Sequence, residues 1–366
     1  MTVPKLNINP PLINTPCPAA TTHDDLLALW LCPSTGGITT RTSLIGGFAH
    51  DDTKNLWRSY DSSSHTVSSS VNPPSTSALP TQNATLNSLG YSPLDFFDYL
   101  SSIRLIVTRH PPPNNLNKTI IISVTGSPTS VAECYTHIAR LQAELFPHPS
   151  HTSGQIGGTT LAMEINLSCP NIPSHPPPAY SRESLGVYLS HLTKAITQAT
   201  KGDRLPRVAV GLKTPPYTYQ TQFEALIDAL ETSALLSTDS EEGCPISFIT
   251  ATNTLGSCLA FTDNESEEGE GAGALPTELG TGGLAGAPLH PLALGNVRTL
   301  RRMLDEKRQE LGHEVQVIGV GGVMDSRGYR RMRKAGADVV GLASGLLLKG
   351  VEVFGEIEKG LGEDGW

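Results

Sequence analysis

Short apolar runs alternate with helical patterns along most of the chain. Eight of these runs have the length of buried strands, and each ends in polar residues or glycine. They are Leu12–Thr15, Gly36–Thr40, Thr119–Val124, Leu161–Leu167, Arg207–Lys213, Ile246–Thr252, Val315–Val320 and Val339–Leu342. Most of them are followed by a segment with helical spacing. Eight strand-helix units in 366 residues predict a parallel (β/α)8 barrel of the TIM type.

The distribution of polar groups supports the barrel over the main alternative. A doubly wound sheet also alternates strand and helix, but it normally collects its ligand groups at one switch point. Here polar residues follow nearly every predicted strand. Barrels place their sites at the carboxyl ends of all their strands. The pattern therefore favours a barrel with its site at that end.

Two long polar segments interrupt the alternation. Asp61–Ala84 is rich in Ser, Pro and Thr and has few apolar positions, which predicts a surface loop or flap. Asp263–Gly283 is acidic and glycine-rich, which predicts a second insertion. The sequence thus predicts one barrel domain over residues 1–366, with insertions at about 61–84 and 263–283.

Charge and composition exclude several classes of protein. The formal net charge of −9 argues against a nucleic-acid partner, because phosphate binding needs a basic face. No run of about 18 apolar residues occurs, so we expect no membrane span. The amino terminus shows no secretory or mitochondrial signal pattern. The six cysteines form no Cys-x-x-Cys pair and no metal-like spacing with histidine, which favours a reduced, cytoplasmic setting without a metal site.

Polar groups crowd the end of the fourth predicted strand, at Asn166, Ser168, Cys169 and Asn171. Unpaired buried amides cost roughly 1–3 kcal/mol each, so this stretch predicts a ligand. A lone cysteine is more often a small buried hydrophobe than a reagent. At a strand end, however, a thiol of reference pKa ~8.5 is able to act as a base once activated. No histidine lies beside Cys169 in sequence, which argues against hydrolase chemistry of the Cys-His type.

Four asparagines, Asn87, Asn166, Asn171 and Asn253, follow or end apolar segments. Each alone is more simply a turn former. Together at one barrel mouth, they would offer donors and acceptors to a planar, amide-rich ligand. A pyrimidine or a similar cyclic imide fits that description.

Lys213 and two glycine turns complete the candidate groups. Lys213 ends the fifth predicted strand, where most lysines simply reach solvent. Inside a barrel mouth it would either stabilise negative charge on a cofactor or form a Schiff base, and the sequence leaves both open. Gly321-Gly322 and Ala343-Ser344-Gly345 follow the last two strands, where barrels often bind phosphate, although ordinary tight turns have the same composition.

Several motifs together resemble the dihydroorotate dehydrogenase family. They are Glu164–Asn171 (Glu-Ile-Asn-Leu-Ser-Cys-Pro-Asn), Gly211–Tyr217, Asn253–Gly256, His290–Arg298 and Gly319–Gly322. Their order along the chain fits the family, and the likeness is greatest to the cytosolic class 1A, fumarate-type enzymes. Class 2 enzymes are membrane-associated and carry serine at the base position, where this chain has Cys169.

The resemblance implies a (β/α)8 barrel that binds FMN and oxidises (S)-dihydroorotate to orotate in pyrimidine biosynthesis, with fumarate as electron acceptor. It implies that Cys169 is the base that removes the C5 proton, that the C6 hydride passes to flavin N5, and that Lys213 stabilises the reduced flavin. The implied substrate-binding residues are Asn87, Leu89, Gly90, Asn166, Asn171, Asn253 and Thr254. The implied cofactor-binding residues are Thr15, Pro16, Thr40, Ser123, Asn166, Lys213, Gly283, Gly321, Gly322, Ala343 and Ser344. A cytoplasmic homodimer is implied as well.

The chain departs from the family at the end of the second strand. The family usually has a lysine there that contacts cofactor and substrate, and this chain reads Thr40-Arg41. It also lacks the usual Glu-Gly-Asn-Pro in the next loop. Strand alternation turns Arg41 to the face opposite Thr40 unless the strand has already ended. The alternatives are a related FMN oxidoreductase for another dihydropyrimidine or enone, a NAD-dependent form with an iron-sulfur partner, and a flavin-binding barrel without turnover.

Overall fold

Thirteen strands and ten α-helices form in the part of the chain that the computed structural model describes. That part comprises residues 2–75, 78–115, 117–146, 160–168, 177–236, 243–262, 273–362 and 365–366. The strands are β1 (Leu12–Asn14), β2 (Gly37–Thr39), β3 (Trp57–Asp61), β4 (Thr66–Val67), β5 (Ala84–Asn87), β6 (Thr119–Val124), β7 (Thr160–Asn166), β8 (Ala209–Thr214), β9 (Phe248–Ala251), β10 (Leu255–Leu259), β11 (Thr281–Gly286), β12 (Gln316–Val320) and β13 (Val339–Leu342). The helices are α1 (His23–Leu31), α2 (Phe96–Arg109), α3 (Pro128–Leu145), α4 (Arg182–Thr197), α5 (Gln220–Leu235), α6 (His290–Glu306), α7 (Arg308–Leu311), α8 (Ser326–Ala335), α9 (Ser344–Lys349) and α10 (Glu352–Leu361).

Eight parallel strands form the central sheet, in the order β1-β13-β12-β9-β8-β7-β6-β2. These are the eight strands that the apolar runs predict, and helices separate most of them along the chain. The sheet curves so that its first and last strands, β1 and β2, lie side by side. The predicted (β/α)8 barrel is therefore confirmed.

Asn14 closes the barrel between β1 and β2. Its side-chain Nδ2 donates to the Thr39 carbonyl at 2.6 Å, and its Oδ1 accepts from the Thr39 N–H at 2.8 Å. The Gly36 N–H adds a bond to the Leu12 carbonyl at 3.1 Å. Position 36 must be glycine, because a Cβ there would lie 2.2 Å from the Pro10 carbonyl oxygen. The buried Asn14 amide thus replaces part of a backbone ladder.

The two faces of the barrel strands pack into different apolar clusters. In β6, Ile120 and Ile122 belong to the large cluster shared with the helices, whereas Ile121 belongs to a small cluster inside the barrel. Ala162 of β7 and Phe248 of β9 lie in the same inner cluster. Because side chains alternate with period two, the residues that follow on the inner face continue towards the barrel mouth. They are Ser123, Glu164, Asn166, Gly211, Lys213, Thr250 and Thr252.

A second, antiparallel sheet of five strands has the order β10-β11-β5-β3-β4. Its strands come from the segment between β2 and β6 and from the segment between β9 and β12. It packs around a small apolar cluster of Leu56, Val67, Leu86, Ala274 and Leu275. The sequence predicts a surface loop over Asp61–Ala84, but the edge strand β4 lies within it and β5 begins at its end. This sheet brings Asn87 and Gly283 together, since the two are paired residues of β5 and β11.

Side-chain caps begin several of the helices. Thr22 caps α1 in a capping box with Asp25. Asp325 caps α8, because its carboxylate accepts from the Gly328 N–H at 2.7 Å. The short helix α9 was not predicted. None of the helices in the described ranges is long and apolar enough to cross a membrane.

We predict that Asn14→Ala lowers the free energy of unfolding by roughly 2–4 kcal/mol, because it removes two bonds and leaves a buried N–H and C=O of Thr39 unpaired. Urea unfolding measures this change. Asn7→Ala is the matched control, since Asn7 is exposed and its effect should stay within about 0.5 kcal/mol. Equal stability of the two variants would contradict the role of Asn14 in closing the barrel.

Candidate active site at the barrel mouth

Two adjoining cavities lie at the carboxyl ends of the barrel strands. They share part of their lining, including Pro16, Lys213, Asn253 and Ser344. The first cavity is also lined by Cys17, Arg41, Thr42, Thr85, Asn87, Leu89, Gly90, Tyr91 and Asn166. The second is also lined by Thr15, Thr252, Leu289, Val320, Gly321, Gly322, Val323, Gly341 and Gly345. Most of the residues proposed from the sequence therefore come together in one place.

A chain of hydrogen bonds fixes the amide of Asn166. Its Nδ2 donates to Thr42 Oγ1 at 3.1 Å, Thr42 Oγ1 lies 2.9 Å from Ser123 Oγ, and Ser123 donates to Glu164 Oε1 at 2.9 Å. Since Ser123 gives its proton to Glu164 and Thr42 accepts from Asn166, Thr42 must donate to Ser123. The buried carboxylate of Glu164 thereby sets the direction of the whole chain.

Asn253 joins this chain from the end of β9, which is separated from β7 by β8. Its Nδ2 donates to Asn166 Oδ1 at 3.3 Å and to Ser168 Oγ at 3.0 Å. Its Oδ1 accepts from the Thr254 N–H at 2.9 Å. The sequence alone did not identify Glu164 or Thr42 as members of this hydrogen-bond chain. They come within bonding distance only through the register of β6 and β7 and the position of the residues after β2.

Asn87 reaches the first cavity from the antiparallel sheet. Its Nδ2 donates to the Gly283 carbonyl at 2.9 Å, and its Oδ1 accepts from the Leu89 N–H at 3.3 Å. Gly283 must be glycine, because a Cβ there would lie 2.4 Å from Thr254 Oγ1. Gly90 packs against Phe48, whose ring would be 2.2 Å from an added Cβ. The residues on this side of the first cavity are thus held in place by their neighbours.

The glycine turns after β12 and β13 line the second cavity. Gly321 and Gly322 have φ values of 138° and 69°, a region that favours glycine. Ser344 begins α9, and its Oγ lies 2.9 Å from Thr85 Oγ1 of the antiparallel sheet. Thr15 bonds to the Leu342 carbonyl through both its N–H and its hydroxyl. The cavity is therefore bounded by backbone N–H groups that a phosphate is able to use.

Three cationic side chains are buried in the part of the chain that the structure describes, and they differ in how many hydrogen bonds they make. Lys118 donates to the Leu29 and Cys32 carbonyls and to Thr35 Oγ1, which satisfies its ammonium at the end of α1. Lys213 lies at the barrel mouth and has no hydrogen-bond partner within the described ranges. A buried charge without a partner is costly, so a ligand is the expected partner of Lys213.

Arg41 is the other poorly paired cation, and it lines the first cavity. β2 ends at Thr39, so strict alternation no longer fixes the direction of Arg41. Its Nη1 makes one long bond of 3.5 Å to Thr21 Oγ1, and its Nη2 is buried without a partner among the described residues. Burial lowers the pKa of Arg41, and nearby Tyr99 and Cys17 oppose that shift. A guanidinium keeps its charge nonetheless, so Arg41 offers a fork to an anion.

Three of the proposed residues line neither cavity, namely Thr40, Ser123 and Gly283. Cys169 and Asn171 lie outside the described residues. Thr40 and Ser123 are buried below the cavities, where Thr40 Oγ1 accepts from the Ser123 N–H at 3.0 Å. Thr40 and Ser123 therefore stabilise the layer of residues beneath the cavities.

The geometry defines a class of protein. A parallel barrel whose mouth presents amides, hydroxyls and two poorly paired cations is typical of a barrel enzyme for a small anionic ligand. A family model described as dihydroorotate dehydrogenase matches residues 72–364. The chain therefore belongs to the dihydroorotate dehydrogenase family, and the resemblance predicted from its motifs is confirmed.

Individual relatives agree with this assignment. The chain is 27% identical over 278 residues to dihydroorotate dehydrogenase A (fumarate) of Lactococcus lactis subsp. cremoris strain MG1363, which covers 76% of this chain and 73% of the relative. It is 29% identical over 198 residues to dihydroorotate dehydrogenase (fumarate) of Saccharomyces cerevisiae, covering 54% of this chain and 52% of the relative. The family consists of flavin-dependent oxidoreductases, so the chain is an enzyme of that class.

The second cavity fits a flavin. Besides the glycine turns and Lys213, it contains Thr252, whose buried hydroxyl has no partner among the described residues. A buried unpaired hydroxyl costs free energy in the absence of a ligand, and a flavin ring carries several groups able to pair with it. Thr250 also has an unpaired buried hydroxyl, but it does not line either cavity.

We predict that Thr252→Val raises the free energy of unfolding of the flavin-free protein by about 1 kcal/mol and weakens flavin binding roughly 2- to 10-fold, because it removes an unpaired hydroxyl that the flavin would pair. Urea unfolding and flavin fluorescence measure the two effects. Thr250→Val is the control: it should be stabilising without changing flavin affinity. The same loss of affinity in both variants would rule out a contact between Thr252 and flavin.

Proposed function

We propose that the protein oxidises (S)-dihydroorotate to orotate in pyrimidine biosynthesis, with FMN as its flavin and fumarate as electron acceptor. The observation that carries the proposal is that Arg41 lines a cavity rich in amides and that its buried Nη2 has no partner in the described chain. Dihydroorotate is a cyclic imide that bears one carboxylate. Its carboxylate thus matches the guanidinium of Arg41, and its imide ring matches the amides that line the cavity.

Arg41 would bind the carboxylate of the substrate. A guanidinium forms two parallel bonds to a carboxylate, and such charge-assisted bonds are about twice as strong as neutral ones. Fumarate is also a carboxylate, so the same cation would serve the acceptor once orotate has left. Arg41 therefore takes the place of the lysine that the family usually has at the end of this strand.

The amides would bind the ring. Asn166 has its orientation set by Thr42 and Ser168, and Asn253 is tied to both Asn166 and Thr254. Asn87 is held by Gly283 and Leu89. Because these amides are fixed before any ligand binds, little side-chain entropy is lost when they pair with the imide groups.

FMN, when bound, would supply a hydride acceptor beside the substrate. In the second cavity, Gly321, Gly322, Ala343 and Ser344 would hold its phosphate. Thr15, Pro16 and Thr252 would line its ring, and the charge of Lys213 would stabilise negative charge that develops on it.

Cys169 would act as the base. In this proposal its thiolate takes the C5 proton while the C6 hydride leaves, so that the C5–C6 single bond becomes the double bond of orotate. The assignment rests on the Asn-Leu-Ser-Cys-Pro-Asn motif, because Cys169 lies outside the described residues. A homodimer and a cytoplasmic location belong to the same proposal and rest on the family resemblance.

We expect the purified protein to be yellow, and we expect dihydroorotate to bleach it anaerobically with orotate as the product. Absorbance near the flavin maximum and chromatography of the product measure the reaction. Dihydrouracil, which has the same ring without the carboxylate, is the control and should bleach the protein at least about 10-fold more slowly, because it lacks the charge-assisted bond to Arg41.

Two outcomes would contradict the proposal. Bleaching by dihydrouracil or an enone but not by dihydroorotate would identify a related oxidoreductase with another substrate. Flavin that none of these compounds bleaches would identify a flavin-binding barrel without turnover.

A further inference from the structure

His290 lies directly behind the glycine turn of the second cavity. Its Nδ1 is 2.7 Å from the Gly321 carbonyl oxygen, and its Nε2 is 3.0 Å from Nε of Arg331. His290 is buried at the start of α6, and Arg331 lies on α8. The two residues therefore connect both helices that flank the turn after β12.

The two partners determine the protonation of the His290 ring. A carbonyl oxygen only accepts, so Nδ1 must carry a proton and donate to Gly321. The Nε–H of an arginine only donates, so Nε2 must be bare and accept from Arg331. The geometry thus requires a neutral imidazole with its proton on Nδ1.

His290 also orients the peptide between Gly321 and Gly322. In a planar trans peptide, the carbonyl oxygen and the following N–H point in opposite directions. Holding the Gly321 oxygen against His290 therefore turns the Gly322 N–H away from α6. That N–H makes no hydrogen bond to any described residue, and both glycines line the second cavity. The turn rests directly on the helix, because a Cβ at Gly322 would be 2.7 Å from the His290 Cβ.

We propose that His290 and Arg331 are positioning residues that hold the Gly321-Gly322 turn ready for the phosphate of FMN, and that protonation of His290 loosens this hold. The inference rests on the proposed function, because it takes FMN as the ligand of the second cavity. Neither residue lines that cavity. Both act through the backbone of the turn.

The sensitivity to acid follows from the same contacts. Protonated His290 would carry an N–H on Nε2 that faces the Nε–H of Arg331, so two donors and two positive charges would meet. Burial lowers the pKa of His290, the bond to Gly321 opposes that shift, and Arg331 lowers the pKa further. Among the described residues, Asp325 at the start of α8 is the other charged group that acts on it, and it favours the protonated form. Protonation leaves the Nδ1–H bond to Gly321 in place but breaks the contact with Arg331, so the support that Arg331 gives to His290 is complete at neutral pH and is lost as the pH falls below the lowered pKa.

The test compares FMN with riboflavin, which lacks the phosphate, by fluorescence during flavin release from and rebinding to the intact protein. We expect His290→Ala to weaken FMN roughly 10-fold and riboflavin less than about 2-fold, because only the phosphate contact depends on the turn. His290→Asn keeps a donor near Nδ1 and should restore FMN binding to within about 3-fold of the original at pH 7.5.

The pH profile provides the second readout. The FMN phosphate itself titrates near pH 6, so acid weakens binding in every variant to some extent. The ratio between the original protein and His290→Asn cancels that common part and should fall with acid, because Asn does not titrate. Arg331→Met should abolish the part of the acid-induced loss that depends on His290, because protonated His290 then meets neither a competing donor nor a second positive charge.

Equal weakening of FMN and riboflavin in His290→Ala, or a flat ratio against His290→Asn, would overturn the inference. An original protein that binds FMN but does not oxidise dihydroorotate would contradict the proposed substrate while leaving these ratios measurable. A folded original protein that binds neither flavin would overturn both proposals.

Discussion

Two buried cations at the barrel mouth, Arg41 and Lys213, constrain what this site is able to bind. Removing a charge from water without a partner is expensive, and the fold shows what full pairing looks like at Lys118, whose ammonium has three acceptors. At the mouth the described chain supplies Lys213 with none and Arg41 with one long bond. Anions in both cavities would offset this cost. A carboxylate-bearing ring beside a phosphate-bearing flavin meets that requirement.

The barrel makes this arrangement possible through the period-two alternation of its strands. Ile121, Ala162 and Phe248 fill the barrel below, and the next inward positions of the same strands become Ser123, Glu164 and Thr250. Glu164 then directs a chain of hydrogen bonds that ends on Asn166. Glu164 does not line either cavity, yet it determines how the Asn166 amide is oriented towards the ligand. The antiparallel sheet adds Asn87 from the other side.

The eight barrel strands were predictable because a strand buried on both faces is a continuous apolar run, and the mouth residues were predictable because they end those runs. The antiparallel sheet was not, because strands such as Thr66–Val67 are too short and polar to leave a periodic signal. The direction of Arg41 was open until the end of β2 at Thr39 was known. The contacts of His290 were not predictable from the sequence, because its partners Gly321 and Arg331 lie 31 and 41 residues away along the chain.

If Arg41 selects a carboxylate-bearing ring, the preference should appear in the equilibrium binding of the product. Titrating the oxidised flavoprotein with orotate and with uracil, and following the flavin spectrum, measures the contribution of the carboxylate without turnover. The account predicts that orotate binds at least about 10-fold more tightly than uracil and that Arg41→Met removes most of this difference, since a hydrogen bond to a charged group contributes about 1.5–3 kcal/mol. Equal affinity for the two rings, or an unchanged preference in Arg41→Met, would contradict it.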